Sequence, residues 1–291
     1  MQQRQLGQTG LSVSSIGLGC VTFGREIDRR TSLDILDYAA RSGVSLLDTA
    51  AAYGDGASEE ILGEWLGGCG LRNRPVVMTK VAPPLTPEHV VASVEASRRR
   101  LRLNCLDVLL LHQPDPIAPI EPTLEVLNQL VRDGKVRHLG GSNFSAAQLR
   151  TILDIQARRG LARMAVVQPI YNLVHREIET DLLPLCSQEG LGVVTYSPLG
   201  AGFLTGKYTP NGAIPPGTRF DIKPGHQSIY FSENGFRILT DLRSESERTG
   251  TPMIRLALAW VFRQPGIASV LVGARTPAHL DQALAAAEIR R

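Results

Sequence analysis

Val44-Ser45-Leu46-Leu47-Asp48-Thr49-Ala50-Ala51-Ala52-Tyr53-Gly54 is a short apolar run that ends on a carboxylate and passes into a loop carrying a tyrosine. Two further runs have the same form. Val76-Val77-Met78-Thr79 ends on Lys80, and Val108-Leu109-Leu110-Leu111 ends on His112. Apolar runs of this length without alternation read as strands buried on both faces. Asp48, Lys80 and His112 then stand at strand C-terminal ends, with Tyr53 one loop further on. In a barrel of parallel strands, that end is where chemistry is built.

Outward from these runs, strand and helix signals alternate along the chain. Strands are expected at residues 16–19, 45–48, 76–80, 107–112, 136–142, 166–171, 192–196 and 269–272. Helices separate them. Thr31 is expected to cap one that Gly43 stops. Thr86-Pro87 opens one running to about Leu103, and Glu121-Pro122 opens one stopped by Gly134. Ser145-Ala146-Ala147-Gln148 reads as a capping box, with Gly160 ending its helix. Thr251-Pro252 and Thr276-Pro277 open the last two. The α/β pattern implies a (β/α)8 TIM barrel rather than an open sheet, as one domain spanning residues 1–291. Two additions are expected: an N-terminal hairpin around Gly7 and Gly10, and an extra helix at about 233–249 between strands 7 and 8. Before that helix, a Gly/Pro-rich stretch of residues 200–232 lies on the catalytic rim.

Composition narrows the function. With 31 basic and 28 acidic residues, the net charge of +3 is too balanced to argue for nucleic acid. The cluster Arg98-Arg99-Arg100 with Arg102 reads as a helix C-terminus offsetting its dipole. Cys20, Cys69, Cys105 and Cys186 form no Cys-x-x-Cys pair and no metal spacing with histidine, so reduced thiols, a cytoplasmic location and no metal are expected. No apolar stretch suggests a secretory leader or a membrane span.

Tyr53, Lys80, Asp48 and His112 together suit proton donation to a carbonyl. A free phenol has a pKa of about 10, and easing its proton loss by roughly three units takes on the order of 4 kcal/mol. One cation about 4 Å away, at an effective dielectric near 20, supplies about that much. Lys80 is expected to play this part, with Asp48 holding the lysine and His112 orienting the substrate oxygen. Taken one at a time these residues are weak evidence, since each has a bland role as cap, ion-pair partner or core histidine. Their convergence on one rim is the argument. The substrate pocket is expected near Phe23, Tyr53 and His112, residues 83–84, and residues 200–230.

Other rim residues suit a nucleotide cofactor. Ser142, Asn143 and Gln168 offer the hydroxyl and amides that hold a carboxamide, and Tyr196 offers a ring face. Ser197-Pro198-Leu199-Gly200-Ala201-Gly202-Phe203-Leu204-Thr205-Gly206-Lys207 is a glycine-rich loop with a lysine. Gly273-Ala274-Arg275-Thr276-Pro277 sets an arginine at a helix N-terminus. The loops after strands seven and eight are the recurring phosphate site of this barrel. Gly17-Leu18-Gly19 is only a fragment of the Rossmann fingerprint, so a separate dinucleotide domain is not expected.

These motifs, with Ser58-Glu59, Gly141-Ser142-Asn143-Phe144, Gln168-Pro169-Ile170-Tyr171-Asn172 and Tyr196-Ser197-Pro198-Leu199, resemble the aldo-keto reductase family of bacterial type along nearly the whole chain. The resemblance implies a barrel binding extended NADP(H), with Tyr53 as general acid/base supported by Lys80, Asp48 and His112. It implies a cofactor set of Asp48, Ser142, Asn143, Gln168, Tyr196, Ser197, Leu199, Gly202, Lys207, Arg219, Gly273 and Arg275. His279, Gln282 and Ala283 fall where related members carry a glutamine and a Glu-Asn pair, so the adenosine contacts depart from the pattern. A long C-terminal loop folded over the substrate is not expected.

The leading expectation is an NADP(H)-dependent reductase of small aldehydes, ketones or sugars, with NADH as a possible substitute. One alternative is an NAD(P)-dependent aldose dehydrogenase of the same family. Another is a cofactor-binding regulatory subunit resembling potassium-channel β subunits, which replace the histidine that stands here as His112. A phosphosugar barrel enzyme would use the same phosphate loops without needing the tyrosine set. The only partner implied is a small carbonyl or alcohol substrate.

Overall fold

The computed structural model describes residues 1–68 and 74–289, and Cys69 lies outside them. Two antiparallel strands, β1 (Gln3–Gln5) and β2 (Ser12–Ser14), form the N-terminal hairpin. Eight parallel strands then close into a barrel. They are β3 (Ile16–Gly19), β4 (Leu46–Asp48), β5 (Val76–Val81), β6 (Leu106–Leu111), β7 (Val136–Ser142), β8 (Met164–Gln168), β9 (Gly192–Thr195) and β10 (Ser269–Gly273). The last strand pairs with the first, Val270 opposite Ile16, which leaves no open sheet edge.

Helices cover the outside: α1 (Arg29–Arg41), α2 (Ala57–Gly67), α3 (Pro87–Leu101), α4 (Ile120–Arg132), α5 (Ala146–Arg159) and α6 (Leu182–Glu189). After β9 come the short α7 (Arg219–Ile222) and α8 (Gln227–Tyr230), then α9 (Glu233–Thr249), α10 (Met253–Phe262) and, after β10, α11 (Pro277–Ala287). None of the described helices is long and apolar enough to cross a membrane.

The strand period builds two cores. Leu46, Met78, Val108, Leu110, Val166 and Val194 point into the barrel. Leu47, Val77, Leu109 and Leu111 point out against the helices. Leu6 and Val13 of the hairpin join the inner core, and Ser14 N–H donates to Ser45 Oγ at 2.8 Å, so the hairpin stoppers the barrel end opposite the catalytic rim. A third cluster gathers Phe203, Tyr208, Phe220, Tyr230 and Leu239, and packs the long segment after β9 against α9.

Several expected boundaries move. Asp28, not Thr31, caps α1: its carboxylate accepts from Thr31 N–H at 2.8 Å, which brings Thr31 inside the first turn. β8 covers Met164–Gln168 instead of residues 166–171, because Pro169 has no N–H to continue a ladder. His112 and Tyr196 stand one residue beyond their strands. The basic cluster does more than offset a dipole: Arg98 pairs with Glu95, and Arg100 pairs with the buried Glu59.

Candidate active site

Alternation decides which side chains reach the barrel mouth. In β5, Val77 and Thr79 face the helices while Met78 and Lys80 face inward. By the same count Asp48 follows outward Leu47, and His112 follows outward Leu111. Three inward positions on neighbouring strands therefore meet at one rim.

Lys80 is the hub and only 1% exposed. Its Nζ donates to Asp48 Oδ1 and Oδ2 at 2.6 and 2.7 Å, to Thr49 O at 2.9 Å and to Tyr53 OH at 3.2 Å. Gln168 Nε2 donates to Asp48 Oδ1 at 2.7 Å. The imidazole of His112 meets the Tyr53 ring edge-on, 5.8 Å between centroids. Burial alone would lower the lysine's pKa. Asp48 and Tyr53 outweigh that and hold the ammonium charged.

The phenol behaves differently from the sequence expectation. Burial raises the Tyr53 pKa; Lys80 lowers it and Asp48 raises it again, and the balance lies above the ordinary value. The lysine's full attraction is not available, because Asp48 already neutralises that charge. Tyr53 thus keeps its proton near neutrality. Burial, helped by Lys80, pushes His112 down to about 4, so its imidazole is neutral.

The neighbouring polar residues interlock. Ser142 Oγ donates to Gln168 O at 2.9 Å, Asn143 Nδ2 donates to His112 O at 3.0 Å, and Tyr196 OH donates to Asn143 Oδ1 at 2.8 Å. Asn143 and Ser197 adopt left-handed backbone (φ 64 and 58), a conformation that non-glycine residues hold only where the surroundings impose it.

A cleft of about 650 Å³ runs from Tyr53 and His112 past Tyr196 to Lys207, Arg275 and Gln282. Every site residue expected from the sequence lines it except Lys80, which lies beneath its floor, and Phe23. Phe23 is fully buried in the outer core and does not line this cleft. Residues 83–84 also lie off the cleft. His226 lines it from the expected 200–230 stretch, and lining residues that the sequence reading did not name include Thr22, Arg25, Glu26, Ile254 and Leu258. For Arg25 and Glu26 the available signal was their place just past the C-terminal end of β3.

The far end of the cleft is cationic. Burial and the charge of Arg275 both depress Lys207. His279 is depressed by burial, Arg275 and Lys207, and its Nδ1 accepts from Arg275 N–H at 3.1 Å. Arg219 is depressed by burial and by Arg25, and pairs with Glu26 at 3.6 Å. At Gly202 (φ 91) an added Cβ would stand 3.3 Å from Lys207 Nζ, so glycine leaves that ammonium open to the cleft. Gln282 is less free than expected: its Oε1 accepts from Arg255 Nε at 2.8 Å.

A closed parallel barrel with its polar cluster and cleft at the C-terminal rim has the layout of a barrel enzyme. The chain belongs to the aldo/keto reductase family, whose profile matches residues 15–291, and this places it among oxidoreductases. It is 34% identical to the aldo-keto reductase YhdN of Bacillus subtilis (strain 168), over 97% of this chain and 87% of that protein. It is 33% identical to a probable voltage-gated potassium channel subunit beta of Arabidopsis thaliana, over 99% of this chain and 92% of that protein. The corresponding protein of Oryza sativa subsp. japonica is 34% identical over 94% and 87%. Members of the family generally use nicotinamide cofactors. The residues present fit one: amides and a ring face near Tyr53, then a glycine-opened lysine and an arginine where phosphates would lie.

Proposed function

We propose that this chain is a one-domain NADPH-dependent reductase of small aldehydes, ketones or sugars, with Tyr53 as the general acid. The observation that carries this reading is Lys80 Nζ set between the Asp48 carboxylate and the Tyr53 hydroxyl. Bound NADPH would supply a hydride to the carbonyl carbon. Ser142, Asn143 and Gln168 would hold its carboxamide, Tyr196 would stack on the ring, and Gly202, Lys207 and Arg219 would take the pyrophosphate. Arg275 would bind the 2′-phosphate, with Gly273, His279 and Gln282 around the adenosine.

Tyr53 then gives its proton to the carbonyl oxygen as negative charge develops there, and Lys80 stabilises the phenolate left behind. The raised pKa suits an acid that must be protonated at the start of the reaction. Neutral His112 donates one N–H to the same oxygen without adding a charge that would compete with Lys80. In the oxidative direction the roles reverse, and the phenol must first lose its proton, so alkaline conditions favour that direction.

A regulatory role is the second reading, favoured by the resemblance to the two plant proteins. One screen separates the two: NADPH consumption over a panel of aldehydes, ketones and sugars, repeated with Tyr53→Phe. Turnover that disappears in the variant supports the reductase. Cofactor binding without turnover on any panel member supports the regulatory role.

A further inference from the structure

The loop that carries Tyr53 is held from below by groups that the catalytic scheme does not use. Tyr53 is followed by Gly54, Asp55 and Gly56, all at positive φ (58, 52 and 97), and then by α2. Three left-handed residues in a row, one of them not glycine, do not hold their shape unaided. The first turn of α2 supplies the restraint. Ser58 Oγ donates to Cys20 O at 2.9 Å at the end of β3 and lies 2.8 Å from Thr49 Oγ1 beyond β4. The carbonyl of that same Thr49 accepts from Lys80.

Glu59 completes the hold. Its carboxylate is 0% exposed. Oε1 accepts from Thr79 Oγ1 at 2.5 Å, and Oε2 accepts from Arg100 Nε at 2.8 Å on α3. Thr79 immediately precedes Lys80, one facing out and the other in, so Glu59 fixes α2 to the strand position that carries the lysine. Gly56 leaves room for this: an added Cβ there would stand 2.8 Å from Arg100 Cδ. A buried carboxylate is costly to retain merely for stability. This one joins the Tyr53 loop to the Lys80 strand.

We propose that Glu59, with Ser58, Thr79 and Arg100, is a positioning clamp that sets the Tyr53 hydroxyl against Lys80. The inference rests on the reductase reading for its rate consequences. Its structural content stands apart from that reading.

The test compares Thr79→Val, which removes the hydrogen bond to Glu59, with Thr79→Ser, which keeps it. Arg74→Met is the control: it breaks another buried ion pair, Arg74 with Asp107 at 2.6 Å, away from the cleft. The first readout is the titration of the Tyr53 phenol by NMR of 13Cζ-tyrosine, assigned with Tyr53→Phe. Thr79→Val is expected to raise the midpoint by about one unit, because the phenol drifts from a cation that had favoured its ionised form. The second is kinetic: kcat falls about tenfold, while KM and the NADPH Kd stay within twofold. Thr79→Ser is expected to restore both readouts, and Arg74→Met to move neither. If Thr79→Val does not fold, Glu59→Gln is read in the same way and in the same direction. A Tyr53 titration unchanged in Thr79→Val, an equal shift in Arg74→Met, or a Thr79→Ser as impaired as Thr79→Val would overturn the clamp. The titration requires no substrate, so it decides the clamp even where the reductase reading fails.

Discussion

At one end of the cleft, Lys80 is buried and makes contacts to Asp48, Thr49 and Tyr53 that leave little polar capacity unused. At the other, Lys207 and Arg275 stand near one another, half in solvent, and among the described residues no carboxylate pairs with either. The first end satisfies its charges internally and so fixes atoms in place. The second leaves its cations unmatched, which costs stability and creates attraction for an anion. Chemistry that depends on tenths of an ångström belongs at the first end, and affinity for a charged group belongs at the second. Substitutions at the two ends should therefore fail in different ways.

The largest effect is expected at the catalytic end. Tyr53→Phe removes the donated proton and should lower kcat by ~10²–10⁴-fold. NADPH affinity should stay nearly intact, and a fluorescence titration beside the rate measurement checks both. A variant that kept most of its rate would remove Tyr53 from the acid role. Lys80→Met goes further into the fold: it leaves Asp48 buried without its cation. Breaking such a pair costs about 3–5 kcal/mol, so denaturant unfolding should show a loss of that size together with lost turnover. A stability unchanged within error would mean that Asp48 is not carried as an ion.

The pH response sharpens the comparison. His112 titrates at about 4 when folded, against an ordinary value of 6.5. Between those values the unfolded chain binds more protons at this group, so its contribution destabilises the fold progressively as pH falls from about 6.5 to about 4. The full difference is roughly 3 kcal/mol, and above pH 6.5 it is absent. His112→Asn should lose less stability than the wild type across that window. Parallel curves of stability against pH would contradict the buried neutral imidazole.

Effects at the anion end should be smaller and confined to binding. Arg275→Ala is expected to weaken NADPH by ten- to hundredfold, about 1.5–3 kcal/mol, and to leave NADH nearly unchanged. An equal loss for both cofactors would mean that Arg275 does not contact the 2′-phosphate. Tyr196→Ala should loosen oxidised and reduced cofactor alike by about 1 kcal/mol, with the fold preserved. Unchanged dissociation constants would take the ring out of the stacking position.

The same division governed what was legible in the sequence. Asp48, Lys80 and His112 sit on or beside strands, where a period of two and burial on both faces leave little freedom about direction. The barrel followed from the same runs. Phe23 sits in a loop, and nothing in its neighbours announces that its ring turns into the core instead of the cleft. Arg25 and Glu26 were missed for the same reason: loop geometry brings Glu26 to Arg219, nearly 200 residues away, through an ion pair no local pattern encodes. Glu59 was visible as part of a motif, but its partners Thr79 and Arg100 come from a strand and a helix further on. The phenol's raised pKa was also hidden, because it depends first on how deeply the ring is buried and then on how far Asp48 cancels Lys80.

The proposed reaction requires one carbonyl to take a proton from Tyr53 and a hydride that bound NADPH would supply. The most direct measurement follows a carbonyl substrate from the panel with NADPH deuterated at C4, using mass spectrometry of the alcohol product. One deuterium is expected on the former carbonyl carbon with wild-type protein, and less than a hundredth as much product with Tyr53→Phe. Undiminished labelled product from Tyr53→Phe, or NADPH bound tightly with no labelled alcohol from any panel member, would contradict it.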